Sequence, residues 1–260
     1  MAVSTVMGRI IRRLDVPPAE PDLSAGYLDL LGPAAPAPPP TVAQRAMRSS
    51  LLPKIYERVW RPVGFGIAKG GPFGPSTEQE YALARNWLGL GRPGDPHRPD
   101  RVVLDVACGP GNVTRALAAG VAGRGLVVGI DAAPGMLARA VADTTDPQVG
   151  YVRGDATDLP FQDASFDAVC CYGALYLFDD PWRALDSMTR VLRPGGRIVI
   201  LTSRRPDLAP VGTAVSIAGR LTGVEVFGHQ EIVDALAARG YVELRRRRYP
   251  LMQYVGGRLD

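Results

Sequence analysis

The sequence predicts an α/β fold built on a doubly wound, mostly parallel sheet, preceded by a helical extension. Three observations predict it. From residue 101 onward, short apolar runs alternate with amphipathic helical stretches. The runs VVLDV, LVVGI and AVCCY are apolar almost throughout rather than at every second position, as strands covered on both faces are. The first run leads into VVLDVACGPGN (102–112), a strand followed by a small-residue loop and a helix start, and such loops let a ligand approach the backbone.

Each element follows from its pattern. Val3, Val6, Met7, Ile10, Ile11 and Leu14 recur at helical spacing, with Arg9, Arg12 and Arg13 on the other side. This basic amphipathic helix has three open destinations: its own domain, a second chain, or a membrane surface. Pro17 and Pro18 end it, and a short segment LSAGYLDLLG (23–32) follows. GPAAPAPPP (32–40) is a semi-rigid linker of polyproline character. A helical stretch VAQRAMRSSLLPKIYERVW (42–60) and a glycine-rich turn PVGFGIAKGG (62–71) come next. The helix STEQEYALARNWLGL (76–90) opens on a capping signal, Ser76 or Thr77 before glutamates in the first turn. After the loop GRPGDPHRPD the alternation begins: strand RVVLDVAC, helix NVTRALAAGV, strand LVVGID, helix PGMLARAVADT, strand VGYVRGD, strand FDAVCCYG and helix DDPWRALDSMTRVL. The turn RPGG leads into strand RIVILTS, then helix HQEIVDALAARG and two last strands, YVELRRRRYP and LMQYVGG. The expected organisation is residues 1–40 as amphipathic helix and linker, 41–95 as a helical cap, and 96–260 as the sheet domain.

Composition narrows the class. Thirty basic against twenty-six acidic residues leave a net charge of +4, and only Lys54 and Lys69 are lysine. The wealth of alanine, glycine, proline and arginine reads as GC-rich coding bias, not as a nucleic-acid signature. Arg245–Arg248 lie in a strand-like run, where a solvated edge strand accounts for them. No run approaches the roughly 20 apolar residues of a membrane span, and no secretory leader is expected. Three cysteines, Cys108, Cys170 and Cys171, cannot frame a disulfide scaffold, so a cytoplasmic protein is expected.

The chemistry concentrates at strand ends. Gly109-x-Gly111-x-x places Thr114 where a dinucleotide fingerprint has its third glycine. Asp105 sits close by; a carboxylate there disfavours a pyrophosphate and suits a cationic ligand end. Asp131, 22 residues after Gly109, ends the second strand where an acid can bond ribose hydroxyls. Met136 stands ready to lie against an adenine face or to fill core, and Asp155 at the third strand's end suits an adenine amino group. Three carboxylates at three successive strand ends define one edge of a cleft.

The segments VLDVACGPGN, GID-AAPGML, GDATDLPF, FDAVCCYGALYLFDD and LRPGGRIVI stand in one order over residues 100–202. In this the chain resembles the class I S-adenosylmethionine-dependent methyltransferases of the type 11, ubiquinone/menaquinone-biosynthesis-like group, and the tail HQEIVDALAARGYVELRRRRY fits the group's last helix and antiparallel strand. The resemblance implies a Rossmann-like sheet of seven strands with the last antiparallel. It implies S-adenosylmethionine as cofactor, S-adenosylhomocysteine as product, and no metal. It assigns Asp105 and the loop Ala107, Cys108, Gly109 and Gly111 to the methionine moiety. Asp131, with Ala132 and Met136, goes to the ribose, Asp155 and Ala156 to the adenine, and Cys171 and Tyr172 to the sulfonium side. Tyr56 is the candidate for an aromatic residue that reaches the cofactor from before the core. Ala107 replaces the first loop glycine of many relatives, which is tolerated if its φ is negative.

What this implies is methyl transfer to a small, apolar or aromatic acceptor of quinone, lipid or secondary-metabolite type. A cofactor-binding protein that acts through partners without catalysis, and a nicotinamide oxidoreductase, are the alternatives. For a catalytic base the sequence offers only Tyr172, Tyr176 and His229. The acceptor pocket is expected from residues 41–75 and from the apolar stretch 204–228. Expected partners are the small-molecule acceptor and no nucleic acid, with peripheral membrane contact or self-association open to the first helix.

Overall fold

A computed structural model describes residues 5–32 and 68–260. The linker after Gly32, the stretch 42–60 and Tyr56 lie outside the described residues. Eight strands form one sheet: β1 (Leu28–Asp29), β2 (Val102–Val106), β3 (Leu126–Asp131), β4 (Val149–Arg153), β5 (Phe166–Tyr172), β6 (Leu192–Ser203), β7 (Tyr241–Arg248) and β8 (Met252–Leu259). Their spatial order is β1-β4-β3-β2-β5-β6-β8-β7. All pairings from β1 to β6 are parallel; β8 runs antiparallel to both β6 and β7. The seven expected strands are all present with the last one antiparallel, and β1 is an eighth that the sequence reading left as an untyped segment.

Among the described residues seven α-helices accompany the sheet: α1 (Thr5–Ile11), α2 (Thr77–Trp87), α3 (Asn112–Ala118), α4 (Pro134–Ala142), α5 (Pro181–Val191), α6 (Ala209–Thr222) and α7 (Glu231–Ala238). They supply two apolar layers. On one face, Val102, Leu104, Val106, Val128, Ile130, Val169 and Ile200 pack with α1, α5 and α7. On the other, Val103, Val127, Tyr151, Ala168 and Val199 pack with α2, α3 and α4. Successive strand residues point to opposite faces, so both sets must be apolar, which is why β2, β3 and β5 read as unbroken hydrophobic runs.

The N-terminal extension belongs to this body. Met7, Ile10 and Leu14 are buried in the sheet's core, so these apolar residues of the first segment pack on their own domain. Gly150 permits the approach, because a Cβ there would stand 2.5 Å from Ile10 Cδ1. Arg9 ties α1 down by donating to the carbonyls of Gly125 (2.7 Å) and Arg124 (2.6 Å). Further on, Leu28 and Asp29 pair with Val152 and Arg153, and the Asp29 carboxylate meets Arg153 at 2.9 Å.

Another boundary differs from expectation. RPGG is not a turn before a strand but part of β6, which begins at Leu192 directly after α5. Leu192 pairs with Phe166, and the register then slips before Ala168 meets Arg197, with Gly195 at φ +76° taking up the irregularity.

Candidate active site

A cavity of about 540 Å³ opens along the C-terminal ends of the parallel strands, where open α/β sheets bind ligands. Its wall is contributed in spatial order: Asp155–Thr157 after β4, Asp131–Ala133 after β3, Ala107–Pro110 after β2, Tyr172–Ala174 after β5 and Leu201 on β6. Four strand spacings of about 4.8 Å make this floor roughly 19 Å long. A nucleoside end and a second compartment both fit along it.

The loop after β2 owes its shape to left-handed residues. Ala107, Gly109 and Gly111 have φ of +55°, +54° and +79°. Gly111 is required twice over, since a Cβ there would also meet the Tyr151 hydroxyl at 2.3 Å. A Cβ at Gly109 would meet nothing within 4 Å and would project into the open cleft that this residue lines. Ala107 overturns the expected negative φ. It holds a conformation that costs an L-residue about 1–2 kcal/mol, because the chain must turn sharply from β2 to aim the following N–H groups at the cleft. The Gly109 N–H donates to Asp131 Oδ2 and the Ala133 N–H to Oδ1, both at 2.8 Å. Asp131 therefore clamps two neighbouring loops while lining the cavity. Burial pushes its carboxyl up from the usual value, against the pull of these backbone donors.

Asp105 stands elsewhere than its expected role requires. It is the fourth residue of the five-residue strand β2, 1% exposed, and it does not line the cavity. Its Oδ2 accepts from the Thr114 hydroxyl at 2.6 Å and its Oδ1 from the Cys170 thiol at 3.2 Å. It ties α3 to β2 and β5 from beneath the glycine loop. The Thr114 side chain, also fully buried, explains why no third glycine stands there. Cys171 is a second correction. Fully buried and absent from the cavity wall, its thiol is driven by burial up to about 12. Cys108 does line the cleft, and burial holds its thiol well above the usual range.

Ala132, Met136, Asp155 and Ala156 all line the cavity with Asp131. Asp155 Oδ1 accepts from the Thr157 N–H and hydroxyl. Of the three base candidates, Tyr172 alone reaches the wall, and its hydroxyl donates to the Glu80 carbonyl at 3.0 Å. Tyr176 packs into the apolar core and is not in the wall. His229 lies half exposed outside the cavity, 3.3 Å from Asp207. The stretch 204–228 is corrected too. No residue of it lines this cavity; α6 instead exposes Val211, Ile217 and Leu221 and borders a separate hollow with Arg205 and Arg220.

The structure adds residues that sequence reasoning missed. Glu80 of α2 closes the cavity's far end beside Leu201 and Tyr172. Its carboxylate is buried and pairs with Lys69, and the Tyr254 hydroxyl donates to Oε1 at 2.5 Å. In the sequence Glu80 counts only as a first-turn acid. The signal was its spacing: Glu80, Ala84 and Leu88 share one helix face, and the latter two are core residues.

Among the described residues the wall carries five carboxylates, Glu80, Asp131, Asp155, Asp179 and Asp180, against one guanidinium, Arg183. Such a surface repels a pyrophosphate and attracts a cation. With the glycine cradle open at Gly109 and Asp131 lining the cavity at the end of β3, the residues present fit S-adenosylmethionine and not a nicotinamide dinucleotide.

Comparison with known proteins agrees. Residues 104–200 match the family described as methyltransferase domain. The chain is 43% identical over 106 residues to the demethylmenaquinone methyltransferase of Staphylococcus aureus, which covers 40% of this chain and 44% of that protein. It therefore spans less than half the length of the curated relatives it matches. Its fold is similar to a SAM-dependent methyltransferase from Aquifex aeolicus, at TM-score 0.58 and 17% identity, covering 82% of this chain and 99% of that one. It is also similar to phosphoethanolamine N-methyltransferase 2 of Haemonchus contortus, solved with phosphomonomethylethanolamine and S-adenosylhomocysteine, at TM-score 0.61 and 15% identity over 82% of this chain and 60% of that one. Over residues 104–200 the chain is thus similar to the methyltransferase-domain family, and its fold is that of the solved methyltransferases.

Proposed function

We propose that this protein methylates a small, apolar aromatic acceptor of the quinone kind, with S-adenosylmethionine as donor. One observation carries the reading: one cavity whose loop-lined stretch from β4 to β2, with Asp155, Asp131 and the glycine loop, suits the nucleoside and methionine, and whose far stretch at β5 and β6 is walled by Tyr172, Ala174 and Leu201 together with Glu80. Demethylmenaquinone methyltransferases among the relatives favour a quinone-type ring.

In this reading Asp155 and Ala156 frame the adenine, Asp131 with Ala132 and Met136 holds the ribose, and the loop from Ala107 to Gly111 holds the methionine end. When bound, the cofactor supplies an electrophilic methyl group on a sulfonium. The chain's own contribution is alignment and exclusion of water, which supply much of the catalysis in such a displacement. Tyr172 closes the wall next to the reacting end, its ring 5.6 Å from that of Tyr254. The buried thiols Cys108, Cys170 and Cys171, all unpaired, accord with a reducing compartment such as the cytoplasm. None of the described helices is long and apolar enough to cross a membrane.

The test is calorimetric titration with S-adenosylhomocysteine, followed by mass spectrometry of quinols, naphthols, nucleic acid and protein incubated with S-adenosylmethionine and enzyme. Methylation of the aromatic set is expected. Turnover confined to nucleic acid or protein would refute the acceptor class, and binding without turnover on any acceptor would favour a non-catalytic cofactor protein.

A further inference from the structure

Glu80 is a buried carboxylate in the wall of the cavity, next to Tyr172. Its side chain is 3% exposed. Oε1 receives both the Lys69 ammonium and the Tyr254 hydroxyl, which leaves Oε2 outside both bonds. Tyr172 fixes the main chain at the same residue by donating to its carbonyl. Lys69 is itself 8% exposed and Tyr254 is fully buried. Burial, followed by the neighbouring Tyr172 and Glu80, drives the Tyr254 phenol far up, so it remains a donor at any working pH.

A buried ion pair is a poor device for stability, since apolar side chains of like volume do as well or better. A charged pair held in the wall of a ligand cavity points instead to chemistry. The three base candidates from the sequence do not serve: the Tyr172 hydroxyl is committed to a carbonyl, and Tyr176 and His229 are outside the wall. Glu80 occupies the place they leave open.

We propose that Glu80 selects a methyl acceptor bearing an aromatic hydroxyl and takes that hydroxyl's proton. The proposal rests on the methyltransferase reading above. The acceptor's O–H bond breaks, the proton passes to Glu80 Oε2, and the bonding pair stays on the acceptor oxygen, enriching that oxygen and the ring. Lys69 balances the carboxylate charge before the transfer, and Tyr254 keeps Oε1 occupied so that Oε2 is the receiving atom.

The experiment compares binding of 2-naphthol with that of 2-methoxynaphthalene, which lacks the donor, by fluorescence titration in the presence of S-adenosylhomocysteine. A site built to pair a hydroxyl discriminates strongly against the analogue without it. The wild-type protein is expected to prefer 2-naphthol by about tenfold or more, and Glu80→Gln to bind the two within about twofold. Glu80→Gln leaves Lys69 without its counter-charge, so Lys69→Met with Glu80→Gln, a neutral pair of similar volume, gives the same readout if the single variant does not fold. Affinity for S-adenosylhomocysteine, measured by calorimetry, is expected to stay unchanged in both. The proposal is overturned if the wild type binds the two naphthalenes equally or binds neither, or if the preference survives in a folded variant lacking the carboxylate. Failure of the wild type to bind S-adenosylhomocysteine would instead sink the methyltransferase reading.

Discussion

Ala107 shows how one residue can be right for the site and wrong for its own backbone. Its φ of +55° strains an L-residue, by about 1–2 kcal/mol, while Ala→Gly returns about 0.4–1 kcal/mol to the unfolded chain. Ala107→Gly is therefore expected to stabilise the protein by about 0.5–1 kcal/mol, raising the calorimetric midpoint by roughly 1–4 °C; an unchanged or lower midpoint would refute the strain. Asp131 gives a pH signature. Burial raises its carboxyl above the unfolded value of 3.8, so the native state holds more protons than the unfolded state just above that pH. Stability is then lost as pH rises from 3.8 through the raised native value. Thermal midpoints of wild type and Asp131→Asn, measured from pH 3 upward, should diverge in the variant's favour across that window and run parallel above it. Asp105 marks the limit of legibility at this scale. Its identity and position near the loop are visible in the sequence, but the side of β2 to which it points depends on where the strand ends, and that places it under α3 with Thr114 and Cys170 rather than in the cleft.

Among the elements, α2 links local sequence to the site most directly. Ser76 and Gln79 form a complete capping box: the Gln79 N–H donates to the Ser76 hydroxyl at 3.2 Å and the Ser76 N–H to the Gln79 side-chain Oε1 at 2.9 Å. The helix start sets the rotation that turns Glu80 and Ala84 inward. Ser76→Ala should cost about 1 kcal/mol, seen as a drop of roughly 2–4 °C in the midpoint; no change would mean that tertiary packing alone fixes the start. The cap was legible because capping chemistry is local. The destiny of Glu80 was not, because its partners Lys69 and Tyr254 are 11 and 174 residues away. Likewise α6 reads as pocket wall because it is apolar, yet only Gly212 and Gly219 of it are buried, and composition alone does not say which neighbour covers a helix.

At the scale of the molecule, the parallel run from β2 to β6 and the position of the cleft at its C-terminal ends followed from alternating apolar runs, because parallel strands need helical crossovers, whereas the order of the strands in space did not. The two-residue β1 did not, since a strand so short has no periodicity to read and exists only through its pairing with β4. Its effect is larger than its length. Every open sheet has two edges, and an unpaired row of backbone N–H and C=O groups is a template for another chain. Four consecutive arginines on β7 guard one edge of this sheet, and β1 pairs with the last two residues of β4 at the other. Removing residues 1–32 would bare that end of β4, whose sequence is VGYVR, and take Met7, Ile10 and Leu14 off the core. Static light scattering of such a truncation at rising concentration should show growth into large particles, while the full chain stays dispersed. The amino-terminal segment, for which the sequence left its own domain, a second chain and a membrane surface all open, packs on its own sheet, and the truncation tests whether it also keeps copies apart.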